Sequence, residues 1–218
     1  MHHKKLYLLL ISLIILISIL LAIEIKKTSK ITIKKDKTPI ISSSAINVPT
    51  YKEDPIYGNP GSAITIIEFT DFNCKRCKTI HEQLISFVDK NPQKARLIWK
   101  PLPKQTFFSA QNPLPHQAAL CANKQNKFWQ FVKTAMSDKK NITQAGLKKT
   151  AEGLNLDINK WTTCLDSVET KQIVSSSTLI AKQIGFSTAL PTVFINNHWI
   201  NTQKDINIKE ILTQFARE

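Results

Sequence analysis

A Cys-x-x-Cys pair set between a strand pattern and a helix pattern constrains this chain more than any other feature. Cys74-Lys75-Arg76-Cys77 follows Ile64-Thr65-Ile66-Ile67-Glu68-Phe69, an apolar run that reads as a buried strand. It opens Lys75 to Asp89, which reads as an amphipathic helix. Two cysteines three apart at a helix start both reach the first turn, close enough to bond. The first thiol lies among unpaired backbone N–H groups at the positive end of the helix dipole, which favour its thiolate. Lys75, Arg76 and Lys78 add positive charge beside it. A stabilised thiolate is a better leaving group, and it makes the disulfide more oxidising. An inert disulfide and half of a zinc site share this spacing. A zinc site needs two further ligands, and no second Cys-x-x-Cys or His-x-x-x-His is present in the sequence.

The N-terminus bears on compartment. Leu6 to Ile23 is almost wholly apolar, broken only by Ser12 and Ser18. Roughly 18 residues of helix span roughly 27 Å, near the thickness of a hydrocarbon core. Residues 1–25 therefore read as a membrane anchor, with a cleaved signal segment as the alternative. Leu20-x-Ala22 is a weak cleavage signal, and no lipoprotein cysteine follows it. Lys4 and Lys5 precede the span, while Lys26, Lys27, Lys30, Lys34, Lys35 and Lys37 follow it. That count alone puts the C-terminal side in the cytoplasm, but long downstream domains translocate largely regardless of charge. Four cysteines, one pair close and one distant, suit an oxidising compartment. The expected location is the periplasm or extracytoplasmic face, tethered to the inner membrane, or soluble periplasmic after cleavage.

The net charge of +14 raises the question of nucleic acid. The first 37 residues supply +6 of it, from eight lysines and two acids. The rest is spread without an arginine-rich tract or interleaved aromatics, so the pattern is a solvated basic surface and no nucleic-acid partner is indicated. The juxtamembrane lysines suit anionic lipid headgroups.

Residues 26–57 are rich in Lys, Ser and Thr, carry Pro39, Pro49 and Pro55, and read as a flexible tether. The globular domain is expected over 58–218. After Ala95–Lys100, a second strand, a helical block is expected over about 104–184. It would hold one helix from His116 to Met136, others over Gln144–Gly153 and Asp157–Leu165, and a last over Glu169–Ile184 ended by Gly185. Thr192–Ile195 and His198–Ile200 form a hairpin pattern about Asn196-Asn197. Ile208–Ala216 closes the chain as a helix.

These motifs together resemble the thioredoxin-fold disulfide oxidoreductases of the DsbA type. Ile67-Glu68-Phe69-Thr70-Asp71-Phe72-Asn73-Cys74-Lys75-Arg76-Cys77 resembles their active-site segment. Leu190-Pro191-Thr192-Val193-Phe194-Ile195-Asn196-Asn197 resembles their cis-proline signature. Ala118-Ala119-Leu120-Cys121-Ala122 with Lys127-Phe128-Trp129 resembles the start of their helical insertion. The resemblance covers about Gly58 to Glu218. It implies an α/β thioredoxin fold, a central mixed sheet flanked by helices, with an inserted helical subdomain behind an N-terminal transmembrane helix. Two positions depart from the pattern. Lys75-Arg76 replaces the Pro-His of strongly oxidising members, and Leu190 stands where Thr or Val is usual. Both positions tune redox potential and substrate contacts.

The resemblance implies that Cys74 attacks or is attacked and that Cys77 resolves. It implies that Glu68 lies buried beneath them and assists proton transfer at the resolving thiol. The alternative is a solvated edge glutamate, against which Ile66, Ile67 and Phe69 suggest a strand covered on both faces. It implies a cis bond at Leu190–Pro191, with the Leu190 backbone beside the cysteines and open to an extended substrate peptide; an ordinary trans proline in a turn is the alternative. Cys121 and Cys164 read as a structural bridge closing a loop of about 44 residues, or as buried free thiols. His81, His116 and His198 share no spacing and read as ordinary surface or satisfied histidines. Phe69, Phe72 and Trp99 read as core.

The function implied is thiol:disulfide exchange that introduces disulfides into reduced or unfolded exported proteins. No metal and no organic cofactor are indicated, since the cysteine pair carries the electrons. A quinone-linked membrane oxidase would restore the disulfide. The rival with the same fold is a reductase or isomerase fed by a membrane electron donor. More distant rivals are a copper carrier using Cys74, Cys77 and a histidine, and a non-catalytic adaptor.

Overall fold

The computed structural model describes residues 2–28, 41–104, 111–202 and 207–215. The chain divides into two compact units, Met1–Thr38 and Pro39–Glu218. In the first, helix α1 (His2–Thr28) contains an 18-residue stretch, Tyr7–Glu24, of mean hydropathy 2.7. Among the described residues it is the one helix long and apolar enough to cross a membrane. Ser12 and Ser18 satisfy their hydroxyls on the carbonyls of Leu9 and Ile14, so neither leaves a bare polar group on the apolar surface.

The second unit is built on a six-stranded sheet. Its strands are β1 (Ile41–Ala45), β2 (Ile56–Gly58), β3 (Ile64–Thr70), β4 (Ala95–Pro101), β5 (Thr192–Ile195) and β6 (His198–Ile200), in the order β1-β6-β5-β3-β4-β2. β3 and β4 run parallel, joined through helix α2 (Lys75–Lys90), and every other pair is antiparallel. Asn196 and Asn197, at φ 47° and 69°, turn β5 into β6 in the manner of a tight hairpin. The sheet is mixed, as expected.

Between β4 and β5 lie α3 (Leu114–Asn123), α4 (Phe128–Ala135), α5 (Gln144–Gly153), α6 (Ile158–Asp166) and α7 (Val168–Gln183). Helix α8 (Ile208–Phe215) ends the described chain. Asp157 caps α6 through the Lys160 N–H, and Gly185, at φ 84°, follows α7.

Strand alternation sorts the core. Ile64 and Ile66 meet Leu84, Ile211 and Leu212 on one side, while Ile67 and Phe69 meet Phe194, Ile180 and Leu190 on the other. A separate core of Phe128, Phe131, Leu147, Trp161 and Val174 holds the helical insertion together. Phe69, Phe72 and Trp99 are all buried.

Two expectations need correction. Residues 26–57 are not a tether throughout, because β1 and β2 belong to the sheet and Val48 is buried in its core. Ile41-Ser-Ser-Ser-Ala offers no apolar alternation. It is held through main chain and hydroxyl instead, since the Trp199 N–H donates to Ser42 Oγ at 3.0 Å and the Ile46 N–H to the Asn197 carbonyl at 2.8 Å. Ile31–Ile33 lies outside the described residues. The helix expected over His116–Met136 is two helices. Asn126 adopts φ 59°, and the Lys127 N–H returns to the Ala122 carbonyl at 2.9 Å, which closes α3 and restarts the chain as α4.

Candidate active site

Cys74 is the N-cap of α2, extended at φ −119°, ψ 106°, and its Sγ accepts the Cys77 N–H at 3.1 Å. The two cysteines are joined as a disulfide. Cys74 is half-buried and Cys77 is fully buried, so an incoming group meets Cys74 first. Lys75 and Arg76 are exposed on the first turn. No acid occupies that turn to offset the dipole.

The Leu190–Pro191 peptide bond is cis. Leu190 shares an apolar cluster with Cys77 and Phe194, and Cys74 packs against the same cluster. The flanking hydroxyls fix this turn: Thr192 Oγ1 donates to the Ala189 carbonyl and Thr202 Oγ1 to the Pro191 carbonyl. The cis turn and the disulfide, more than a hundred residues apart in sequence, meet in one cluster because β5 lies beside β3.

Glu68 has no solvent exposure. It shares a strand face with Ile64 and Ile66, the face that α2 covers, and it aligns with Trp99 on β4 and Val193 on β5. Its Oε2 stands 2.8 Å from His81 Nδ1, and its Oε1 has no hydrogen-bond partner among the described residues. The His81 ring is held edge-on to Trp99 at 5.3 Å and parallel to Trp129 at 6.1 Å. Trp129 is itself pinned by donation from Nε1 to the Ile56 carbonyl. Sequence reading placed His81 among ordinary histidines. Its signal was the four-residue interval from Cys77, which puts both on the buried face of α2.

A second buried pair braces the loop before Cys74. Asp71 Oδ1 accepts the Asn73 N–H at 2.8 Å, and Oδ2 accepts the Lys104 N–H at 3.2 Å and meets His116 Nε2 at 3.1 Å. His116, at the start of the insertion, packs edge-on against Phe72. Away from this site, Cys121 and Cys164 form a disulfide between α3 and α6, and Thr170 Oγ1 lies near both sulfurs. Among the described residues, no three or more His, Cys, Asp or Glu side chains gather into a metal-ligand set. His198 sits on β6, with Nδ1 on the Ser42 carbonyl of the edge strand β1.

A family model described as Thioredoxin matches residues 50–214. The chain belongs to the thioredoxin family. Its fold recurs in solved structures of modest sequence identity. A thioredoxin-like oxidoreductase from Silicibacter pomeroyi DSS-3 is 20% identical, with a TM-score of 0.63 over 77% of this chain and 95% of that one. The thiol-disulfide exchange protein alpha-DsbA2 from Wolbachia pipientis is 16% identical, with a TM-score of 0.64 over 76% and 87%. Oxidised BdbD from Bacillus subtilis is 19% identical, with a TM-score of 0.65 over 80% and 99%. At these identities the likeness is one of fold. A curated relative, the Na(+)/H(+) antiporter NhaA 3 of Salinispora tropica, is 25% identical over 112 residues, 50% of this chain. The chain spans 16% of that relative's length. In this thioredoxin-family chain the cysteine pair and Leu190 of the cis turn share one cluster at the start of α2, and Glu68 meets the same helix at His81.

Proposed function

We propose that the chain is a thiol:disulfide oxidoreductase that introduces disulfides into exported proteins, with Cys74 and Cys77 as its redox centre. The observation that carries this reading is the Cys74–Cys77 disulfide capping α2 in the same cluster as cis Leu190–Pro191. A substrate thiolate attacks Cys74 Sγ. The Cys74–Cys77 bond breaks, and its electron pair leaves on Cys77, which takes up a proton. A second substrate thiolate then attacks the substrate sulfur of the mixed disulfide and expels Cys74. The substrate loses two electrons and the enzyme gains them. A quinone-linked membrane oxidase accepts them when the disulfide is restored.

Three features support this direction of exchange. The exposed Lys75 and Arg76, the dipole of α2 and the Cys77 N–H on Cys74 Sγ all favour a Cys74 thiolate. A favoured thiolate stabilises the reduced enzyme, and so makes the oxidised enzyme a disulfide donor. The cis bond at Pro191 sets the Leu190 backbone beside the cysteine pair, where an extended substrate segment docks. Helix α1 anchors the chain in the inner membrane with the thioredoxin unit on the extracytoplasmic face, where reduced exported proteins arrive. Cys121–Cys164 is the structural bridge of the insertion.

The test is the reduction potential of the Cys74–Cys77 pair, measured on the full chain in detergent micelles equilibrated with glutathione buffers. A value near ~−120 mV is expected of a disulfide donor. A value near ~−270 mV marks a reductase and overturns the assigned direction.

A further inference from the structure

Thiol:disulfide exchange at Cys74–Cys77 moves a proton as well as electrons, and the proton has to reach a buried place. Cys77 is fully enclosed, and leaving it there as a bare thiolate is costly. Glu68 is equally enclosed and carries one oxygen, Oε1, without a hydrogen-bond partner among the described residues. Its other oxygen is bound to His81 Nδ1. His81 and Cys77 stand one helical turn apart on the buried face of α2, roughly 6 Å along its axis. The carboxylate that touches His81 is thereby tied to α2 one helical turn along from the resolving cysteine.

His81 differs from Glu68 in one respect. Its side chain keeps 8% exposure where Glu68 keeps none. That exposure opens on a groove of about 460 Å³ between α2 and α4. The groove's lining includes the exposed residues Glu82, Asp89, Gln130 and Lys133, so it communicates with solvent. An imidazole with one nitrogen on a buried carboxylate and an edge on a wet groove has the two contacts a proton shuttle needs.

We propose that His81 is the proton outlet of the exchange site, passing protons between the buried Glu68–Cys77 region and the groove between α2 and α4. The proposal rests on Cys74–Cys77 as the exchange centre but not on its direction. When the Cys74–Cys77 bond opens, the Cys77 thiolate takes the Glu68 proton, Glu68 takes one from His81, and His81 takes one from groove water. When the bond closes, Cys77 gives its proton to Glu68 and its thiolate attacks Cys74 Sγ, expelling the bonded sulfur as thiolate. The proton then leaves by the same path. His81 acts through Glu68 and is a positioning residue.

Among the described residues, the other titratable or charged groups around His81 are few. They are Tyr57 from β2, Lys133 from α4, and Lys78, Glu82 and Asp89 from its own helix; β4 presents the neutral Trp99. Tyr57 donates to Asp89 Oδ1 at 2.6 Å, which holds its phenol above the usual tyrosine range. It therefore stays neutral where a histidine titrates.

The test is the rate at which a mixed disulfide on Cys74 is resolved by Cys77, followed from pH 5 to 9 in the full chain. His81→Asn keeps an N–H at the position of Nδ1, so it preserves the contact with Glu68 but removes the second ring nitrogen. Its resolution rate is expected to fall about 100-fold at pH 7, in the range general acid–base relays supply, with a flattened pH profile. Imidazole added to His81→Ala is expected to restore a concentration-dependent part of the rate. His81→Gln serves as the second donor-bearing variant should Asn prove unstable to heat. Wild-type rates and pH profile in the folded variants, with no response to imidazole, overturn the outlet and leave a packing role. No mixed disulfide in the wild-type chain overturns the exchange reading itself, and this inference with it.

Discussion

Asp71 and His116 meet at 3.1 Å in the interior, one on the loop that delivers Cys74 and the other at the start of the helical insertion. The contact joins the loop before Cys74 to the helical insertion. The same carboxylate satisfies the main-chain N–H groups of Asn73 and Lys104. Removing it strands an imidazole and two backbone donors. Asp71→Ala is expected to lower stability by about 3 kcal/mol or more in urea unfolding, and to slow disulfide exchange because the loop loses its fixed course. A double-mutant cycle with His116→Ala should return a coupling of about 1–3 kcal/mol. A coupling near zero would show that the backbone donors, and not the histidine, carry the effect.

The charge beside Cys74 is separable from the helix that supports it. Lys75 and Arg76 are exposed and replaceable without disturbing the core. Lys75→Glu with Arg76→Glu opposes the dipole of α2 and destabilises a Cys74 thiolate. The reduction potential is expected to become more negative by about 20–40 mV, read from glutathione equilibria. The shift should shrink as salt is raised, because exposed charges are screened. An unchanged potential would assign the tuning to the main-chain donors of the cap.

The Cys121–Cys164 bridge and the Cys74–Cys77 pair should respond independently. Cys121→Ala with Cys164→Ala releases a loop between residues 43 apart and is expected to cost about 4 kcal/mol of stability in the chain-entropy model. Thr170, whose hydroxyl lies by both sulfurs, is fully buried there and loses those contacts too. Turnover per folded molecule should be preserved, measured as peptide oxidation below the lowered melting temperature. Loss of turnover in folded protein would make the second pair part of the electron path.

Much of this architecture was legible because it is periodic. β3, α2 and the β5–β6 hairpin carry apolar spacings of two or between three and four, and Asn196-Asn197 supplies the turn. β1 was not legible, because three serines on an edge strand pair through main chain and leave no hydropathy signal. The break at Asn126 was not legible either, since the apolar positions of α3 and α4 continue one another while the backbone does not. At the site, Cys74, Cys77, Glu68 and Pro191 were named from motif and resemblance. His81, His116 and Asp71 were not assembled, because their partners come from sheet register and from an insertion folding back. A linear spacing encodes neither.

Asp54 and Lys100 carry that lesson into energetics. Asp54 fell in the expected tether and Lys100 ended a strand, yet they form an ion pair at 2.5 Å with side-chain exposures of only 5% and 1%. The Tyr51 N–H donates to the same carboxylate oxygen, and the Lys100 ammonium sits 4.9 Å from the Tyr51 ring centre. Burial is the largest influence on both groups. It raises the Asp54 carboxyl above the usual aspartate range and lowers the Lys100 ammonium below the usual lysine range, against the pull of their pairing. The folded chain thus holds the Asp54 proton to higher pH than the unfolded chain does. Stability from this group is full below the unfolded aspartate range and falls as pH rises through the folded value. Lys100 gives up its proton earlier in the folded chain, so its contribution is full above the unfolded lysine range and falls as pH drops through the folded value. Lys100→Met should cost about 3–5 kcal/mol at pH 8 by leaving a buried carboxylate unopposed, and less at pH 5, because a carboxyl raised by burial is protonated more readily than an ordinary aspartate. Asp54→Leu with Lys100→Met should return to within about 1 kcal/mol of the parent, or exceed it. Urea unfolding of the three variants at both pH values decides the matter. A double variant as weak as the single one would mean that the pair stabilises the fold outright.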